Sequence, residues 1–343
     1  MRGPGSGPTD ARLPALGPGR EFDRIREFLG QGTEPGPGIR VGPGDDAAVL
    51  DDGLVISTDL AVEGIHFHLD WISSREAGYR AAMGALSDLA AVAADPLGCL
   101  ASVATPEGHQ GRTGARELMA GLREALEEIG IPLLGGDLTR SPGPMLVDVV
   151  VLGRAHRPLL RSGARPGDEL WVTGSLGGAA GAVAFWAAGG QPPAPLRETF
   201  VAPHPRIREA RFLVDAGARA GLDLSDGLAG DAGHLAAASG VGVELEADAI
   251  PLHPTLLADP APPGTTPLEL ALHGGEDYEL LVALPPDVLA PRVEEFAELF
   301  DLSVTRVGRV REGTGVVLVS PGGGAPRPLA RGGFDHFQGK GES

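Results

Sequence analysis

The 343-residue sequence has one cysteine, Cys99, and one lysine, Lys340. A single thiol can neither close an internal disulfide nor build a multi-cysteine zinc site. With its only lysine in the C-terminal tail, the chain cannot contain a P-loop of the form GxxxxGK[ST]. Aromatic residues amount to 4% against 42% hydrophobic residues, so the core must be packed from Ala, Gly, Val and Leu rather than from large rings. Long apolar runs are also missing: nothing approaches a membrane span, and "MRGPGSGPTDARLPALGPGR" has no signal-peptide core. Positive charge is scarce, with 28 basic against 46 acidic groups and a formal net charge of −18. Such a field repels nucleic acid and anionic membrane, and it admits phosphate substrates only alongside a metal ion or well-aimed arginines. A soluble, cytoplasmic protein with no nucleic-acid or membrane partner is expected.

What remains is ample for two domains. Residues 1–20, rich in Gly and Pro, predict a disordered extension. Helical spacing of Phe22, Ile25, Phe28 and Leu29 predicts a first helix. "AAVLDDGLVISTDLAV" predicts two strands joined at Asp51–Gly53, and "REAGYRAAMGALSDLAAVAADPLG" a helix ended by Asp95–Pro96, with Tyr79, Met83, Leu86, Ala90 and Ala93 as its stripe. "RELMAGLREALEEIG" is a further helix and "MLVDVVVLGRA" a strand. Near residue 155, "RSGARPGDELWVTG" opens a second unit, which continues through the helices "LGGAAGAVAFWAAGG", "RIREARFLVDAG" and "VLAPRVEEFAELF" and the strands "VGVELEAD" and "YELLVALP". Alternating strands and helices in both halves predict α/β or α+β layers. "ALSDLAAVAAD" with "LLGGDLTR" in one half echoes "DLSDGLAGDAG" with "LHGGEDYEL" in the other, which fits a duplicated unit.

The acids recur in one setting, beside Gly, Ser or Thr within small or apolar runs. The stretches are "GPGDDAAVL" (Asp45, Asp46), "ISTDLAVEG" (Asp59), "ALSDLAA" (Asp88), "LGGDLTR" (Asp137), "LDLSDG" (Asp223, Asp226) and "HGGEDYEL" (Glu276, Asp277). A solvated acidic surface would interleave them with Lys, Arg, Gln and Ser. All six stretches are expected at strand or helix ends. Buried carboxylates need a cation or several hydrogen bonds, and hard oxygen donors suit Mg²⁺ better than zinc or copper. An EF-hand is excluded because no D-x-[DN]-x-[DN]-G loop occurs; a two-metal carboxylate hydrolase stays open. Asp231, beside the expected start of a helix, is read as its cap. "TGSLGGAAG" is read either as a phosphate-cradling loop or as close helix packing.

"GDDAAVL", "STDLAVEGIHF", "LSDLAAVAADP", "GGDLTR", "RSGARPGD", "LDLSDGL", "GGEDYEL" and "GFDHF" resemble, in this order over residues 21–337, the bacterial thiamine-monophosphate kinase family. Its superfamily includes aminoimidazole ribonucleotide synthetase, selenophosphate synthetase and the hydrogenase maturation dehydratase. The resemblance implies a two-domain α/β fold of the aminoimidazole ribonucleotide synthetase type and a homodimer whose N-terminal sheets pair across the axis. It implies an ATP/Mg-binding and dimerisation domain over 21–154, an α/β domain over 155–320, and a tail over 321–343 carrying "GFDHF". The implied activity is ATP-dependent phosphorylation of thiamine monophosphate to thiamine diphosphate, with several Mg²⁺ ions. Carried over by position, Asp46, Ser57, Thr58, Asp59, Asp88, Asp137, Asp223 and Asp226 resemble metal-site residues. Gly136, Asp137, Arg161 and Ser225 resemble nucleotide contacts, His66 and Glu276 match positions facing thiamine phosphate, and Phe334 matches an aromatic at the thiamine end. Phe334 stands where the family often has Tyr, so the hydroxyl is lost, and no aromatic in "EGHQGRTGARELM" suggests an adenine contact.

The implied chemistry agrees with the residues. A phosphomonoester with a second pKa near ~6 is mostly a dianion at neutral pH, so no strong general base is needed. The difficulty is repulsion between two anions inside an acidic protein, which bound cations remove. Within the superfamily, selenophosphate synthetase should carry a reactive Cys near its start, and residues 1–50 have none. A rival of another class is a non-catalytic divalent-cation or nucleotide-binding protein.

Overall fold

The computed structural model describes residues 20–29, 36–258, 264–320 and 325–329. Of the expected disordered stretch 1–20, residues 1–19 lie outside them, as does the "GFDHF" segment with Phe334, while Arg20 begins the first helix. The strands of the first half are β1 (Ile39–Val41), β2 (Ala48–Leu50), β3 (Leu54–Val62), β4 (Asp95–Thr105), β5 (Leu133–Arg140) and β6 (Leu146–Arg154). They form one six-stranded sheet in the order β1-β2-β3-β6-β4-β5. The second half contributes β7 (Glu169–Thr173), β8 (Ala220–Asp223), β9 (Gly242–Glu246), β10 (Leu280–Leu284), β11 (Val304–Arg311), β12 (Gly315–Val319) and β13 (Arg327–Pro328). Its order is β13-β12-β9-β11-β7-β10-β8. The mixed α/β architecture with a change of sheet after residue 154 agrees with the alternation in the sequence. Among the described residues no helix is long and apolar enough to cross a membrane.

The helices are α1 (Arg20–Leu29), α2 (Ser74–Ala91), α3 (His109–Ile129), α4 (Gly178–Ala187), α5 (Ala194–Val201), α6 (Ile207–Ala216), α7 (Leu228–Ser239), α8 (Pro254–Ala258), α9 (Pro267–His273) and α10 (Val293–Phe300). α2 starts on a capping box in which the Ser73 hydroxyl accepts the Glu76 N–H while the Glu76 carboxylate accepts the Ser73 N–H. It ends at Ala91, earlier than Asp95–Pro96, because Ala93 takes a left-handed φ of 54° and Asp95 already begins β4. Instead of one apolar stripe, nearly its whole circumference is buried. Small residues permit this. A Cβ on Gly78 would meet the Leu118 carbonyl of α3, and one on Gly121 would meet the Arg75 carbonyl of α2. The two helices therefore touch backbone to backbone through reciprocal glycines.

α2 and α3 cover one face of the first sheet, where Val55, Val147, Val149, Val151, Cys99 and Ala101 meet Met83, Leu86, Leu118 and Leu122. The second sheet is covered on both faces. Leu281 and Ala283 of β10 enter a core with α7 and α9, while Leu280, Val282 and Leu284 enter another with α6 and α10. α2 also packs against α6, β8 and α5, so it lies between the two sheets. The LSD and GG-acid echoes are not structural equivalents. Asp88 is inside α2 and Asp137 inside β5, whereas Asp226 and Glu276 lie in the turns after β8 and before β10.

Candidate active site

Asp46 comes from the turn between β1 and β2, Asp88 from the last turn of α2, and Asp223 from the end of β8. One carboxylate oxygen from each lies within 4.8 Å of the others. Elements from both sheets thus converge on one point. Hydroxyls orient two of the acids: Ser57 of β3 donates to Asp88 Oδ2 at 2.5 Å, and Ser87 of α2 donates to Asp223 Oδ2 at 2.6 Å. Arg161 donates to Asp46 Oδ1 through Nη2 at 2.6 Å and Nε at 3.2 Å. Asp46 Oδ2 is left buried with no hydrogen-bond partner.

Burial is the main cause that pushes the Asp88 carboxyl well above the usual range, with Asp223 and Asp59 adding to it. Burial and then Asp46 raise Asp223 to about 7, and burial and Asp46 raise Asp45 to about 7. Such acids either hold protons or need a cation. Three close carboxylates with an orphaned buried oxygen fit a hard divalent ion. Two oxygens ligating at about 2.1 Å can lie up to about 4.2 Å apart, so little movement is needed.

Asp59 lies on the same face of β3 as Ser57. Its carboxyl is raised by burial and drawn back by Arg80. It is in mid-strand, as is Asp137, so the expectation that all the acids mark element ends is corrected. Thr58 faces the other side of the sheet, where its hydroxyl donates to Asp148 Oδ1 at 2.7 Å. Asp137 is exposed on the edge strand β5, in register with Ser102, and its Oδ1 accepts the Leu138 N–H at 2.9 Å. Neither Thr58 nor Asp137 belongs to the Asp46–Asp88–Asp223 group. Gly136 packs so tightly on β4 that a Cβ would overlap the Ala101 carbonyl.

The turns carrying Ser225 and Glu276 are zipped together. The Glu276 N–H donates to the Ser225 carbonyl at 2.8 Å and the Tyr278 N–H to the Leu224 carbonyl at 2.9 Å. Glu276 and Tyr278 both take positive φ, 62° and 52°. Glu276 Oε1 pairs at 2.5 Å with Arg80 Nη2 of α2. That arginine is buried, stacks 3.8 Å over the Phe200 ring and donates to the Phe200 carbonyl. His66 is in the turn after β3, where its Nδ1 accepts the Val62 N–H at 3.0 Å.

One sequence reading needs correction, and one of two alternatives left open falls away. Asp231 does not cap α7: it sits within the first turn, and its Oδ2 accepts the upstream Asp226 N–H at 3.1 Å. The glycine loop of "TGSLGGAAG" is not an open phosphate cradle either. The Asp277 carboxylate accepts the Gly177 N–H at 2.9 and 3.0 Å at the start of α4, where an anion would sit. Ser87, Arg80 and His234 were missed by sequence reasoning. Ser87 had a signal, since it precedes Asp88 on a helix expected to be buried; Arg80 had none, because an arginine on a helix ordinarily faces water.

Comparison with known proteins follows the same division. Residues 44–155 match the AIR synthase related protein, N-terminal domain, and residues 165–320 its C-terminal domain. A thiamine-monophosphate kinase of Caulobacter vibrioides is 36% identical over 322 residues, covering 90% of this chain and 88% of the relative. A solved structure described as AaThiL complexed with AMPPCP and TMP superposes with a TM-score of 0.78 at 29% identity, covering 93% of this chain and 97% of that one. The thiamine-monophosphate kinase of Stenotrophomonas maltophilia gives 0.71 at 33%, covering 89% and 96%.

Proposed function

Because the chain belongs to the AIR synthase related proteins, and among them to the thiamine-monophosphate kinases, we propose that it transfers the γ-phosphoryl group of ATP to thiamine monophosphate. The products are thiamine diphosphate and ADP. The observation that carries this reading is the convergence of Asp46, Asp88 and Asp223 from three elements around an unsatisfied buried oxygen. Asp46, Asp88 and Asp223 would hold Mg²⁺, with Asp59 and Asp226 beside them. When bound, Mg²⁺ supplies the positive charge that screens donor and acceptor phosphates from each other.

This chain's own residues do the positioning. Ser57 and Ser87 fix the orientation of two carboxylates, and Arg161 fixes the third while its own backbone N–H is held by Asp45. No residue need take a proton, since the acceptor is already a phosphate anion. On the resemblance, Ser225, Arg161, Gly136 and Asp137 contact nucleotide, and His66, Glu276 and Phe334 contact thiamine phosphate. The turn linkage between Ser225 and Glu276 supports placing those two ligands side by side.

The proposed assembly is a cytoplasmic homodimer in which the uncovered faces of two first sheets meet. Leu60, 48% exposed on that face, and the part-buried Ile56, Val150 and Leu152 support it. The division into domains at 154/155, with Mg²⁺ and ATP bound by 21–154, belongs to the same proposal. Purified protein given ATP, Mg²⁺ and thiamine monophosphate should form thiamine diphosphate only when all three are present. Nucleotide binding without turnover would instead identify a non-catalytic cation or nucleotide binder, and turnover of another phosphate acceptor a different enzyme of the superfamily.

A further inference from the structure

A second group of metal-ligating side chains lies beyond Asp223, on the far side of the same turn. Asp231 and His234 are three residues apart on α7 and so share one face of that helix. Asp226, in the turn before the helix, completes the group, and one ligand atom from each of the three lies within 4.8 Å of the others. Asp231 and His234 are 1% and 4% exposed, whereas the Asp226 side chain is 31% exposed. The first two form a floor and the third an opening to solvent.

Among the described residues the His234 ring has no hydrogen-bond partner in this floor. His234 Nε2 stands 3.9 Å from Asp226 Oδ2, beyond hydrogen-bond distance, and its Nδ1 is buried with no partner. A buried imidazole with an unpartnered ring nitrogen beside two carboxylates is costly, and a cation on Nε2 would join it to the acids. The guanidinium that acts on Asp231 is that of Arg161, whose hydrogen bonds go to Asp46. The ring of Phe22 on α1 lies against His234 at 4.3 Å between centroids. The backbone is also set: Asp231 Oδ2 accepts the Asp226 N–H and leaves its other oxygen for a further ligand.

We propose that Asp226, Asp231 and His234 form a divalent-cation site of mixed nitrogen and oxygen donors, chemically distinct from the all-carboxylate Asp46–Asp88–Asp223 group. Ligands at about 2.0–2.2 Å from a central ion span up to about 4.3 Å, so the three donors close on it with side-chain movement alone. An imidazole donor favours ions such as Co²⁺ or Mn²⁺ over Mg²⁺, whereas the three carboxylates suit Mg²⁺. The molecule therefore sorts two kinds of cation across the turn 223–226. The inference rests on the proposed kinase reading only in placing Asp226 near a cation; Asp231 and His234 are assigned from this geometry.

The test uses the full chain without nucleotide or thiamine monophosphate, with Co²⁺ and Mg²⁺ as probes followed by calorimetry and Co²⁺ absorption. We expect one Co²⁺ per chain, bound at least tenfold more tightly than Mg²⁺, with a spectrum of mixed nitrogen and oxygen ligation. H234Q and D231N should each weaken that Co²⁺ by at least tenfold, and D88N should leave it in place. Unchanged Co²⁺ affinity in both H234Q and D231N, or an all-oxygen spectrum, overturns the proposal. Should either variant fail to fold, magnetic resonance of the unaltered protein decides. Mn²⁺ at one equivalent should broaden the His234 ring signals before those of the other histidines, and their survival overturns the site. Because no substrate is present, failure here leaves the kinase reading standing, and absence of turnover leaves this site standing.

Discussion

The two sheets bury their strands differently. In the second sheet, β10 reads "LLVAL" and every residue is buried, alternate side chains feeding two separate cores. In the first sheet, β6 reads "LVDVVVLGR" with Val147, Val149 and Val151 buried while Leu146, Asp148, Val150 and Leu152 stay partly exposed. Both strands are apolar on both faces, yet among the described residues only β10 is covered on both. An apolar face that no described helix covers is where the proposed dimer would form, whereas the second sheet is sandwiched by its own helices. The same contrast applies to the candidate site: β3 of the first sheet carries Ser57 and Asp59 in mid-strand, whereas the second sheet lends it the end of β8 and the turns after β8 and before β10.

Four experiments would break or sharpen this contrast. The largest effect is expected at the point shared by both sheets. D88N or D223N should lower thiamine diphosphate formation about a hundred- to a thousandfold, as several kcal/mol of charge stabilisation are lost, with circular dichroism unchanged; activity near that of the parent protein would dissolve the site. Next, L281A in the doubly covered sheet should cost about 2–5 kcal/mol of stability in chemical denaturation, because the cavity has no outlet to solvent.

The third concerns pH. Asp223 is raised to about 7 in the folded, cation-free protein. A carboxyl with a raised folded pKa contributes stability that is fully present below its unfolded value near ~3.9 and is lost as pH rises through about 7. In chelator, thermal stability should fall between about pH 5 and 7.5. Because a bound cation requires the ionised acid, Mg²⁺ affinity should rise over the same interval and level off above it. A flat profile would mean that the three acids do not share one field. The smallest effect on folding is expected from L60S on the open face. The monomer should change by less than about 0.5 kcal/mol, while self-association in sedimentation weakens; an unaltered dimer would place the interface elsewhere.

Much of the architecture could be read from local pattern. The β2–β3 turn at Asp51–Gly53, the strand β6 and the run from β8 through a turn into α7 all follow from alternation, Gly and Asp. β4 and β5 did not announce themselves. "DPLGCLASVAT" and "LLGGDLTR" carry Pro, Gly and Ala, which have little strand propensity, and they pair only because the neighbouring strands impose it. α9 was within reach, since Thr266 and Glu269 form a capping box around Pro267. In the active site, the acids of Asp46, Asp88 and Asp223 were legible through their apolar settings. Their partners were not, because pairings such as Ser87 with Asp223 or Arg80 with Glu276 join residues more than a hundred positions apart. The direction in which β3 turns Thr58 and Ser57 is likewise a matter of sheet parity, which no motif encodes.

The hydrogen bonds that tie Glu276 and Tyr278 to Ser225 and Leu224 bind two turns into one rigid piece. A ligand that tightens either turn must tighten the other, and thermodynamic reciprocity makes the gain equal in both directions. If the two turns seat the two reactants as proposed above, whichever arrives first prepares the seat of the second, and preference between the two orders of arrival becomes a matter of rates.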